Sequence, residues 1–467
     1  MSSSDVVVLG AGPAGLAAAW RAARRGFSVT VLDRADRVGG LAGSFEVAGV
    51  RVDHGSHRLH PATPRRLLAD LTDLLGDDLQ TRPRHGRLRL DGTWVGYPLQ
   101  AGELVRTMPP RMVAGIARDA MTGPLRRPRA DTYEQHLRAG LGPTVYEAVH
   151  GPFAQKLWGL PGSDLAGEQA RRRVSGNSPW KVAGRVLRKG RTSRRSDQGR
   201  MYHYPRRGFG QISDRLAAAA ATAGADIRLG AEVDHIAPTY EDVRVHTRRG
   251  EEVHAGIAFS TLPLPLLARL TAPGPPLQAI EAAAGLRFRA MVLVYLVHGG
   301  GRWTGYDAHY LPAANTPVTR ISEPANYRDS SEDPADRSVL CAEIPCAVGD
   351  AVWSASADEL AELVEEALAR NDLPAVRRTE VEVRRIPAVY PVYDVGYEER
   401  LRGIDSWVSS VPRIVTFGRL GLFAHDNSHH AMVEAYEAVD SLGLDGRFDL
   451  ARWRAQRARF AEHVVED

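Results

Sequence analysis

A chain of 467 residues is longer than one hydrophobic core usually supports, so its length predicts two domains. With 25% charged residues and a formal net charge of +4, the composition suits a globular protein and gives no reason to expect a nucleic-acid partner. No apolar run approaches the ~18 residues of a membrane-spanning helix, and the N-terminal residues do not resemble a secretion signal. Cys341 and Cys346 have no companions of metal-ligand type and imply no disulfide framework. We therefore predict a cytoplasmic protein with no metal site and no stable membrane span.

The first structural signal is a glycine-rich turn near the N-terminus. Residues 5–10 are typical of a buried strand, residues 16–25 of an alanine-rich helix, and residues 27–32 of a second strand. The turn between the first strand and the helix has the spacing Gly-x-Gly-x-x-Gly, and this context is what makes the pattern specific for a dinucleotide pyrophosphate. The free N–H groups at the start of the helix would face the phosphates. The residues predicted to bind are Gly10, Gly12, Pro13, Ala14 and Gly15.

The residues after the second strand favour FAD over NAD. Asp33 ends that strand, where its carboxylate can accept hydrogen bonds from ribose hydroxyls. Gly39 and Gly40 follow shortly afterwards, and two adjacent glycines let the backbone pass close to the rest of a long cofactor. The cofactor contacts predicted in this stretch are Asp33, Arg34, Gly39, Gly40, Leu41 and Ala42.

Further motifs are spread along nearly the whole chain. They are Val52 to His57, Trp94 to Pro98, Lys156 to Gly159 followed by Arg173, Tyr204 to Gly210, Thr319 to Ile321 followed by Tyr327, Ile386 to Pro391, and Gly418-Arg419. Together with the glycine turn they resemble the superfamily of FAD-dependent amine oxidases, protoporphyrinogen oxidases and UDP-galactopyranose mutases. The resemblance is strongest to eukaryotic-type mutases and to protoporphyrinogen-oxidase-like proteins related to them.

This resemblance implies additional flavin contacts in three places. A helix predicted to open near Ala431 would direct its N-terminus at the flavin and stabilise negative charge on the reduced ring. The contacts that the resemblance implies are Gly55, Ser56, His57, Val233, Gly418, Arg419, Ala431 and Met432. Because neither cysteine lies in the segment 418–432, we expect the FAD to be bound non-covalently.

The resemblance also implies a set of substrate residues. Arg173 and Arg320 correspond to the two arginines that hold the substrate diphosphate in the mutases, a task that suits the planar fork of guanidinium. Tyr327 and Tyr390 correspond to tyrosines that hydrogen-bond the same diphosphate, and Trp158 corresponds to a wall of the sugar pocket. A nucleotide sugar is therefore the expected substrate.

One position departs from the mutase pattern. The mutases carry a tyrosine shortly after the Gly-Arg of the last strand, where this chain has His425. A histidine beside a flavin and a diphosphate could bind phosphate when charged, or move a proton. The departure puts UDP-galactose itself in doubt as the substrate. The residues predicted to be catalytic are His57, Arg173, Arg320, Tyr327, Tyr390 and His425.

Three functions remain open at this point. In a mutase, reduced flavin would act as a nucleophile on the anomeric carbon of a nucleotide sugar, and NAD(P)H is a candidate reductant. In an oxidoreductase, the flavin would take a hydride from a small molecule. Ordinary amine oxidation is disfavoured because none of the three lysines lies in the segment 291–393, where amine oxidases place one near the flavin. The third alternative is a flavin-binding protein without catalytic activity.

The fold class follows from the same signals. We predict an α/β protein with a discontinuous FAD-binding domain of the glutathione-reductase, Rossmann-like type, formed by residues 1–61, 201–265 and 393–467. Residues 62–200, expected to be helical, and residues 266–392, expected to form an antiparallel sheet, would make the substrate-binding domain. The active site would lie between the two domains, over the flavin ring.

Overall fold

The fold was analysed in a computed structural model that describes residues 2–98, 106–174 and 201–465. It confirms the predicted α/β class, with a mixed sheet and an antiparallel sheet each covered by helices. Part of the predicted substrate domain, residues 99–105 and 175–200, lies outside the described residues. The predicted domain boundaries stay a prediction. Within the described part of the chain, no helix combines the length and the apolar character that crossing a membrane requires.

The first sheet contains the glycine-rich turn. Its strands, numbered in chain order, are β1 Ser2–Leu9, β2 Val29–Asp33, β9 Asp226–Leu229, β10 Val233–Pro238, β11 Val243–Thr247, β12 Glu252–Ser260 and β18 Ile414–Thr416. The spatial order is β10-β11-β12-β1-β2-β9, and β18 also pairs with β12. The pairs β12–β1, β1–β2, β2–β9 and β12–β18 are parallel, whereas β10, β11 and β12 form an antiparallel meander.

The second sheet is antiparallel apart from one pair. Its strands are β6 Gly86–Leu90, β7 Thr93–Tyr97, β13 Phe288–Gly299, β14 Ala308–Tyr310, β15 Arg320–Ser322, β16 Arg337–Cys346 and β17 Arg378–Pro391. Their spatial order is β17-β13-β16-β15-β14-β6-β7, and only the β14–β6 pair is parallel. Two small antiparallel pairs complete the strands: β3 Ser44–Val47 with β4 Val50–Asp53, and β5 Leu79–Pro83 with β8 Met201–Pro205.

The helices cover the faces of these sheets. In chain order they are α1 Pro13–Arg24, α2 Arg65–Leu75, α3 Pro110–Thr122, α4 Tyr133–Gly140, α5 Pro143–Val145, α6 Gly151–Trp158, α7 Gly167–Val174, α8 Gln211–Thr222, α9 Leu264–Leu270, α10 Leu277–Ala284, α11 Ala351–Ser354, α12 Ala357–Arg370, α13 Tyr397–Val408, α14 Gly418–Gly421, α15 Ser428–Asp440 and α16 Leu450–Phe460. Short 3₁₀ turns at Gly40–Ala42 and Pro324–Tyr327 contribute to the site described below.

The period-2 alternation of β1 divides the core of the first sheet into two layers. Val6 and Val8 face α1, α8 and α15, whereas Val7 and Leu9 face the layer that contains α9, α10 and α13. All four side chains are completely buried, as expected for a central parallel strand covered on both faces.

Strand β13 connects the second sheet to the first part of the chain. Val292, Val294 and Leu296 pack towards α12, and the intervening side chains pack against the β3–β4 hairpin. The hairpin leads directly into the segment around Gly55 and Ser56. The second sheet therefore lies beside the flavin-binding segment predicted from the sequence.

Three details differ from the sequence predictions. Residues 62–200 are not only helical: they contain β5, β6 and β7, and the turn between β6 and β7 is Asp91-Gly92, with both residues at positive φ. Asp-Gly between short strands is a strong hairpin signal, but the helical periodicity on both sides dominated the prediction. The sequence also predicts a strand pair at residues 227–229 and 243–247, but these strands are not neighbours, since β9 pairs with β2 and β11 pairs with β12. The last helix of the flavin segment begins at Ser428, three residues before Ala431, because Asn427 caps it.

Candidate active site

The glycine-rich turn is packed so closely that it tolerates no side chain at two positions. Gly10 has φ +111°, and a Cβ atom there would lie 2.2 Å from Oγ1 of Thr261. A Cβ on Gly15 would lie 1.9 Å from the carbonyl oxygen of Gly10, so the helix can follow the strand closely only with glycine here. No heavy atom lies within 4 Å of a Cβ added to Gly12, which leaves open space above the start of α1.

Two distant segments meet this turn. The N–H of Gly39 donates to the carbonyl of Ala11 at 2.9 Å, and a Cβ on Gly40 would lie 3.3 Å from Cα of Gly12. Gly418, with φ +81°, approaches from the far end of the chain, where an added Cβ would lie 3.5 Å from Cβ of Ala14. The structure thus brings together the segments that the sequence assigned to the cofactor.

The donor groups at this junction fit the pyrophosphate of FAD. Helix α1 starts at Pro13 after the N-cap Gly12, and no side chain caps its first N–H groups. Uncapped N–H groups and the helix dipole favour an anion at this point. Asp33 accepts N–H groups from Ala11 at 2.6 Å and from Ala35 at 2.8 Å, so its carboxylate is fixed beside the turn. Its predicted contact with ribose stays a prediction.

The other predicted flavin residues lie around the same region. Arg34 is exposed, and Leu41 and Ala42 belong to the 3₁₀ turn that begins at Gly40. Val233 begins β10, close behind Ala231, whose N–H donates to the carbonyl of Asp33 at 2.8 Å. These positions agree with a flavin site, and their contacts with FAD stay predictions.

The segment 55–57 leads from the β3–β4 hairpin towards the second sheet. Gly55 has φ +86°, and the N–H of Ser56 donates to Oε1 of Glu343 at 2.9 Å. The ring of His57 stacks on Phe209 with centroids 5.3 Å apart, and its Nε2 lies 3.0 Å from the carbonyl of His54. Burial lowers the pKa of His57, so the neutral form is favoured and a role as a cationic group is not.

The start of α15 differs from the prediction in one respect. The N–H of Ala431 donates to the carbonyl of Asn427 at 3.2 Å, so it is used within the helix. The side chain of Met432 is fully buried in the core. The N–H groups available at this helix start therefore belong to Ser428 and His429, because the side chain of Asn427 caps His430.

One group of the predicted substrate residues lies close together. Cζ of Arg173 lies 5.5 Å from the ring centre of Trp158 and 5.4 Å from that of Tyr390. Cζ of Arg419 lies 5.4 Å from the same Tyr390 ring, and the ring of His425 lies 5.1 Å from Trp158. Trp158, Arg173, Tyr390 and His425, which are distant in sequence, thus surround one small region together with Arg419. Within the described residues, no carboxylate pairs with Arg173.

The second predicted arginine has a different environment. Nε and Nη2 of Arg320 donate to the two carboxylate oxygens of Glu343 at 2.9 and 2.7 Å. Cζ of Arg320 also lies 5.7 Å from the ring of Tyr310, and Tyr390 is close enough to influence its pKa, which links this pair to the first cluster. Arg320 is therefore paired with a protein carboxylate, and its predicted contact with a diphosphate stays a prediction.

Tyr327 is almost completely buried. Only 2% of it is exposed, and its ring stacks on Tyr204 with centroids 5.3 Å apart. Its hydroxyl group is hydrogen-bonded to Oγ of Ser56 and accepts from Arg58 at 3.3 Å. With these partners, Tyr327 positions neighbouring groups, and its direct contact with a diphosphate stays a prediction.

His425 is placed beside the substrate cluster but is not suited to bind phosphate as a cation. It is 2% exposed, lies between Trp158 and Tyr393, and its Nε2 is 3.0 Å from Oε1 of Gln169. Burial, together with the nearby positive charge of Arg173, holds the pKa of His425 well below its usual range. The neutral ring is therefore favoured, which leaves proton transfer as the remaining predicted role.

Three charged residues in this region, Glu343, Arg58 and Asp307, have no role predicted from the sequence. Glu343 interrupts the mainly apolar part of strand β16 that follows Ser338, and that contrast was the signal available in the sequence. Arg58 pairs with Asp307 at 3.2 Å, and its Nη1 donates to the hydroxyl of Tyr310 at 3.2 Å. Counting Arg58, Arg173, Arg320 and Arg419 against Glu343 and Asp307, the region carries two more positive than negative groups.

Lys156 is the one lysine among the described residues, and it lies near this region. Its Nζ donates to the backbone carbonyls of Leu311 at 2.6 Å and Val318 at 3.1 Å, both in the loop between β14 and β15. Burial lowers its pKa to about 7. The amine therefore fastens α6 to the second sheet. Lys181 and Lys189 lie outside the described residues.

The sequence predicts no metal site, but the fold assembles one group of suitable donors. Asp426, His430 and His463 offer one ligand atom each, and these atoms all lie within 4.8 Å of one another. His463 comes from the C-terminal segment, 33 residues after His430, so local sequence gave no indication of the grouping.

Comparisons with known proteins agree with this architecture. The family model described as flavin containing amine oxidoreductase matches residues 13–384. A putrescine oxidase from Kocuria rosea is 43% identical over 105 residues, which cover 21% of this chain and only 22% of that enzyme. The crystal structure of a reduced UDP-galactopyranose mutase superposes with a TM-score of 0.81 at 20% identity, covering 99% of this chain and 100% of the other.

A structure of putrescine oxidase bound to putrescine superposes with a TM-score of 0.65 at 19% identity, over 94% of this chain and 98% of the other. These structural similarities establish the fold, and the family match over residues 13–384 confirms the superfamily expected from the motifs. The family match covers most of the chain, and the glycine junction fits the cofactor of that family. The chain therefore belongs to the family of flavin-containing amine oxidoreductases and is an FAD-dependent flavoenzyme.

Proposed function

We propose that this flavoenzyme acts on a nucleoside-diphosphate sugar by a pyranose/furanose mutase type of reaction that requires reduced flavin. The observation that carries the proposal is the environment of Arg173. Its guanidinium lies 5.5 and 5.4 Å from the rings of Trp158 and Tyr390 and has no carboxylate partner among the described residues. An arginine held by aromatic faces keeps its hydrogen-bonding edge free for an anion.

The groups around Arg173 suit a diphosphate attached to a sugar. Arg173 would bind two phosphate oxygens through its planar fork, and Arg419, whose Cζ lies 5.4 Å from the ring of Tyr390, would add a second positive charge. Trp158 would form a wall against the sugar ring. The Arg320–Glu343 pair would orient this region without itself neutralising the diphosphate.

When bound, reduced FAD supplies a nucleophilic centre for exchange with the diphosphate at the anomeric carbon. This chain would keep the displaced diphosphate close to the sugar, so that it can return after the ring size changes. Holding the leaving group in this way turns recapture into an intramolecular step. Arg173 and Arg419 are the residues that we assign to this task.

The excess of positive charge argues against a cationic amine substrate. Like charges 4 Å apart repel by about 4 kcal/mol at the dielectric constant typical of a protein surface. A protonated amine placed between Arg173 and Arg419 would meet this repulsion, whereas a diphosphate would neutralise it. The UDP-galactopyranose mutase fold covers the whole length of this chain, which supports the same choice.

The second candidate is an FAD-dependent oxidoreductase acting on a small molecule by dehydrogenation, of the protoporphyrinogen-oxidase or amine-oxidase kind. The observation that favours it is the 43% identity with putrescine oxidase over 105 residues of this chain. For the mutase reaction we propose NAD(P)H as the physiological reductant. The two buried free cysteines suit the proposed cytoplasmic location.

Positional isotope exchange distinguishes the two candidates. The FAD-loaded protein, reduced with dithionite, is incubated with a panel of nucleotide sugars that carry ¹⁸O in the bond between the anomeric carbon and the diphosphate. A mutase breaks and re-forms this bond, so ¹⁸O should appear in the non-bridging positions, and only with the reduced protein. If no sugar in the panel shows exchange while the oxidised protein consumes O₂ in the presence of a small-molecule substrate, the oxidoreductase replaces the mutase.

A further inference from the structure

Four side chains of the types that bind metals, from two separate segments, lie close together near Gly418 and Arg419. His430 and Glu434 are four residues apart in helix α15 and share one side of it, and Asp426 lies just before the N-cap of the same helix. His463 follows the end of α16 and approaches the same place. The site is distinct from the substrate cluster around Arg173.

The distances between the donor atoms match a small tetrahedral site. Oδ1 of Asp426 lies 3.2 Å from Nδ1 of His463 and 3.7 Å from Nδ1 of His430. Nδ1 of His463 lies 3.9 Å from Oε1 of Glu434. Ligands bound to zinc at about 2.1 Å in a tetrahedron are about 3.4 Å apart, which is close to these distances. The rings of His430 and His463 are stacked with their centroids 4.3 Å apart, so one ring must turn to direct its Nδ1 at a shared cation.

Two oxygen atoms of the group have no hydrogen-bond partner. Oδ2 of Asp426 and Oε1 of Glu434 are buried and unpartnered, and their side chains are 2% and 0% exposed. Two adjacent buried carboxyl groups carry a large desolvation cost and repel each other when both are ionised, and a hydrogen bond between Asp426 and Glu434 forms only when one of them is protonated. A divalent cation would remove both penalties. The rings of His430 and His463 are 16% and 21% exposed, which leaves a route for the cation from solvent.

The remaining atoms of these residues are already oriented by the protein. Oε2 of Glu434 accepts the N–H of Gly418 at 2.7 Å, and the backbone carbonyl of Asp426 accepts Nε of Arg419 at 2.9 Å. Fixed outer contacts of this kind orient metal ligands. Nδ1 of His430 accepts the N–H of Asn427 in a long contact of 3.3 Å, which a metal bond would replace.

We propose that Asp426, His430, Glu434 and His463 bind a divalent transition-metal cation of the zinc type. Two imidazole nitrogens with two carboxylate oxygens suit zinc, and four protein ligands make a closed site with a structural role. The cation fastens the C-terminal segment around His463 to the segment that contains Gly418 and Arg419. Because Nη1 of Arg172 donates to the carbonyl of His463 at 2.9 Å, the same cation also steadies the helix that carries Arg173.

The test uses the FAD-loaded full-length protein, purified without a histidine tag, stripped with a chelator and then titrated with Zn²⁺. We expect one Zn²⁺ per chain by elemental analysis after dialysis. His463→Asn should weaken Zn²⁺ binding at least about 100-fold, since even changes outside the ligand set cost 10- to 100-fold. The control is His254→Asn: this histidine also lies near two carboxylates, Glu252 at 2.5 Å and Asp242 at 3.7 Å, but in no group of three donors.

A second readout is thermal unfolding of the FAD-loaded protein with and without Zn²⁺. Zn²⁺ should raise the Tm of the wild-type protein and of His254→Asn, but not the Tm of His463→Asn. Failure of the wild-type protein to bind stoichiometric Zn²⁺, or an equal loss in the His254→Asn control, overturns the proposal. In that case the two carboxyl groups share a proton instead. The wild-type titration decides the question even if His463→Asn does not fold.

Discussion

Arg320 and Glu343 form a two-point ion pair, with Nε to Oε1 at 2.9 Å and Nη2 to Oε2 at 2.7 Å. Glu343 also accepts the N–H of Ser56 at 2.9 Å, so one carboxylate joins strand β15, strand β16 and the segment beside the flavin. The resemblance to mutases treated Arg320 as a ligand of the substrate diphosphate. The pair makes it a residue with a structural task as well.

The first prediction follows from this pair. Arg320→Met should destabilise the protein by about 3–5 kcal/mol, because it leaves the carboxylate of Glu343 buried without its counter-charge. The double variant Arg320→Met/Glu343→Leu should recover most of that loss and remain inactive. Urea denaturation of the wild-type, single and double variants measures the free energies of unfolding. Equal stability of the single variant and the wild-type protein would show that the pair is not buried as described.

Arg173 provides the second prediction. Arg173→Ala should lower kcat/KM about 100-fold, since a hydrogen bond to a charged group contributes about 1.5–3 kcal/mol. The bound flavin, measured by its absorbance, should stay unchanged. Arg171→Ala is the matched control two residues away, because Arg171 is 45% exposed and pairs with Asp131 and Glu168. Loss of flavin from Arg173→Ala would contradict its assignment to the substrate.

The glycine turn provides the third prediction, in which two similar substitutions have different effects. Gly15→Ala should destabilise the protein by at least about 3 kcal/mol and release the flavin, because the new Cβ would meet the carbonyl of Gly10 at 1.9 Å. Gly12→Ala should cost about 1 kcal/mol or less in the flavin-free protein, since nothing lies within 4 Å of its Cβ. It should nevertheless weaken FAD binding, because the new methyl group would occupy the space that we assign to the pyrophosphate.

Flavin content after purification and denaturation of the flavin-free proteins test this pair of variants. If Gly12→Ala binds FAD as tightly as the wild-type protein, the open space above α1 is not where the pyrophosphate lies.

The fourth prediction concerns pH and Lys156. Burial lowers its pKa from 10.5 to about 7, so between these values the unfolded chain binds a proton that the folded protein does not. The free energy of unfolding should therefore rise with pH across this window, by up to about 1.4 kcal/mol per pH unit. Lys156→Met should remove this contribution. Urea denaturation of both proteins at several pH values between 7 and 10 gives the free energy of unfolding as a function of pH. The difference between the slopes of the two proteins is the contribution of Lys156, because other titrating groups affect both proteins equally.

The sequence by itself determined the cofactor segment. The turn Gly10–Gly15 and the strands and helix around it depend on local spacing, and the glycines are required by contacts as short as 1.9 Å. Arg173, Trp158 and Tyr390 were assigned to the substrate only through the resemblance to a known family, and their contacts with the substrate stay predictions. In contrast, the Asp91-Gly92 hairpin inside the predicted helical region was missed although its signal is local.

Only the tertiary structure decided which charged groups are free and which are paired. Glu343 meets Ser56 across 287 positions of the chain, and His463 meets Asp426 across 37. No periodicity or motif encodes such encounters, because they depend on how the two sheets and the C-terminal segment pack. For the same reason the sequence assigned the same role to Arg173 and Arg320. Packing pairs Arg320 with Glu343, whereas Arg173 has no carboxylate partner among the described residues.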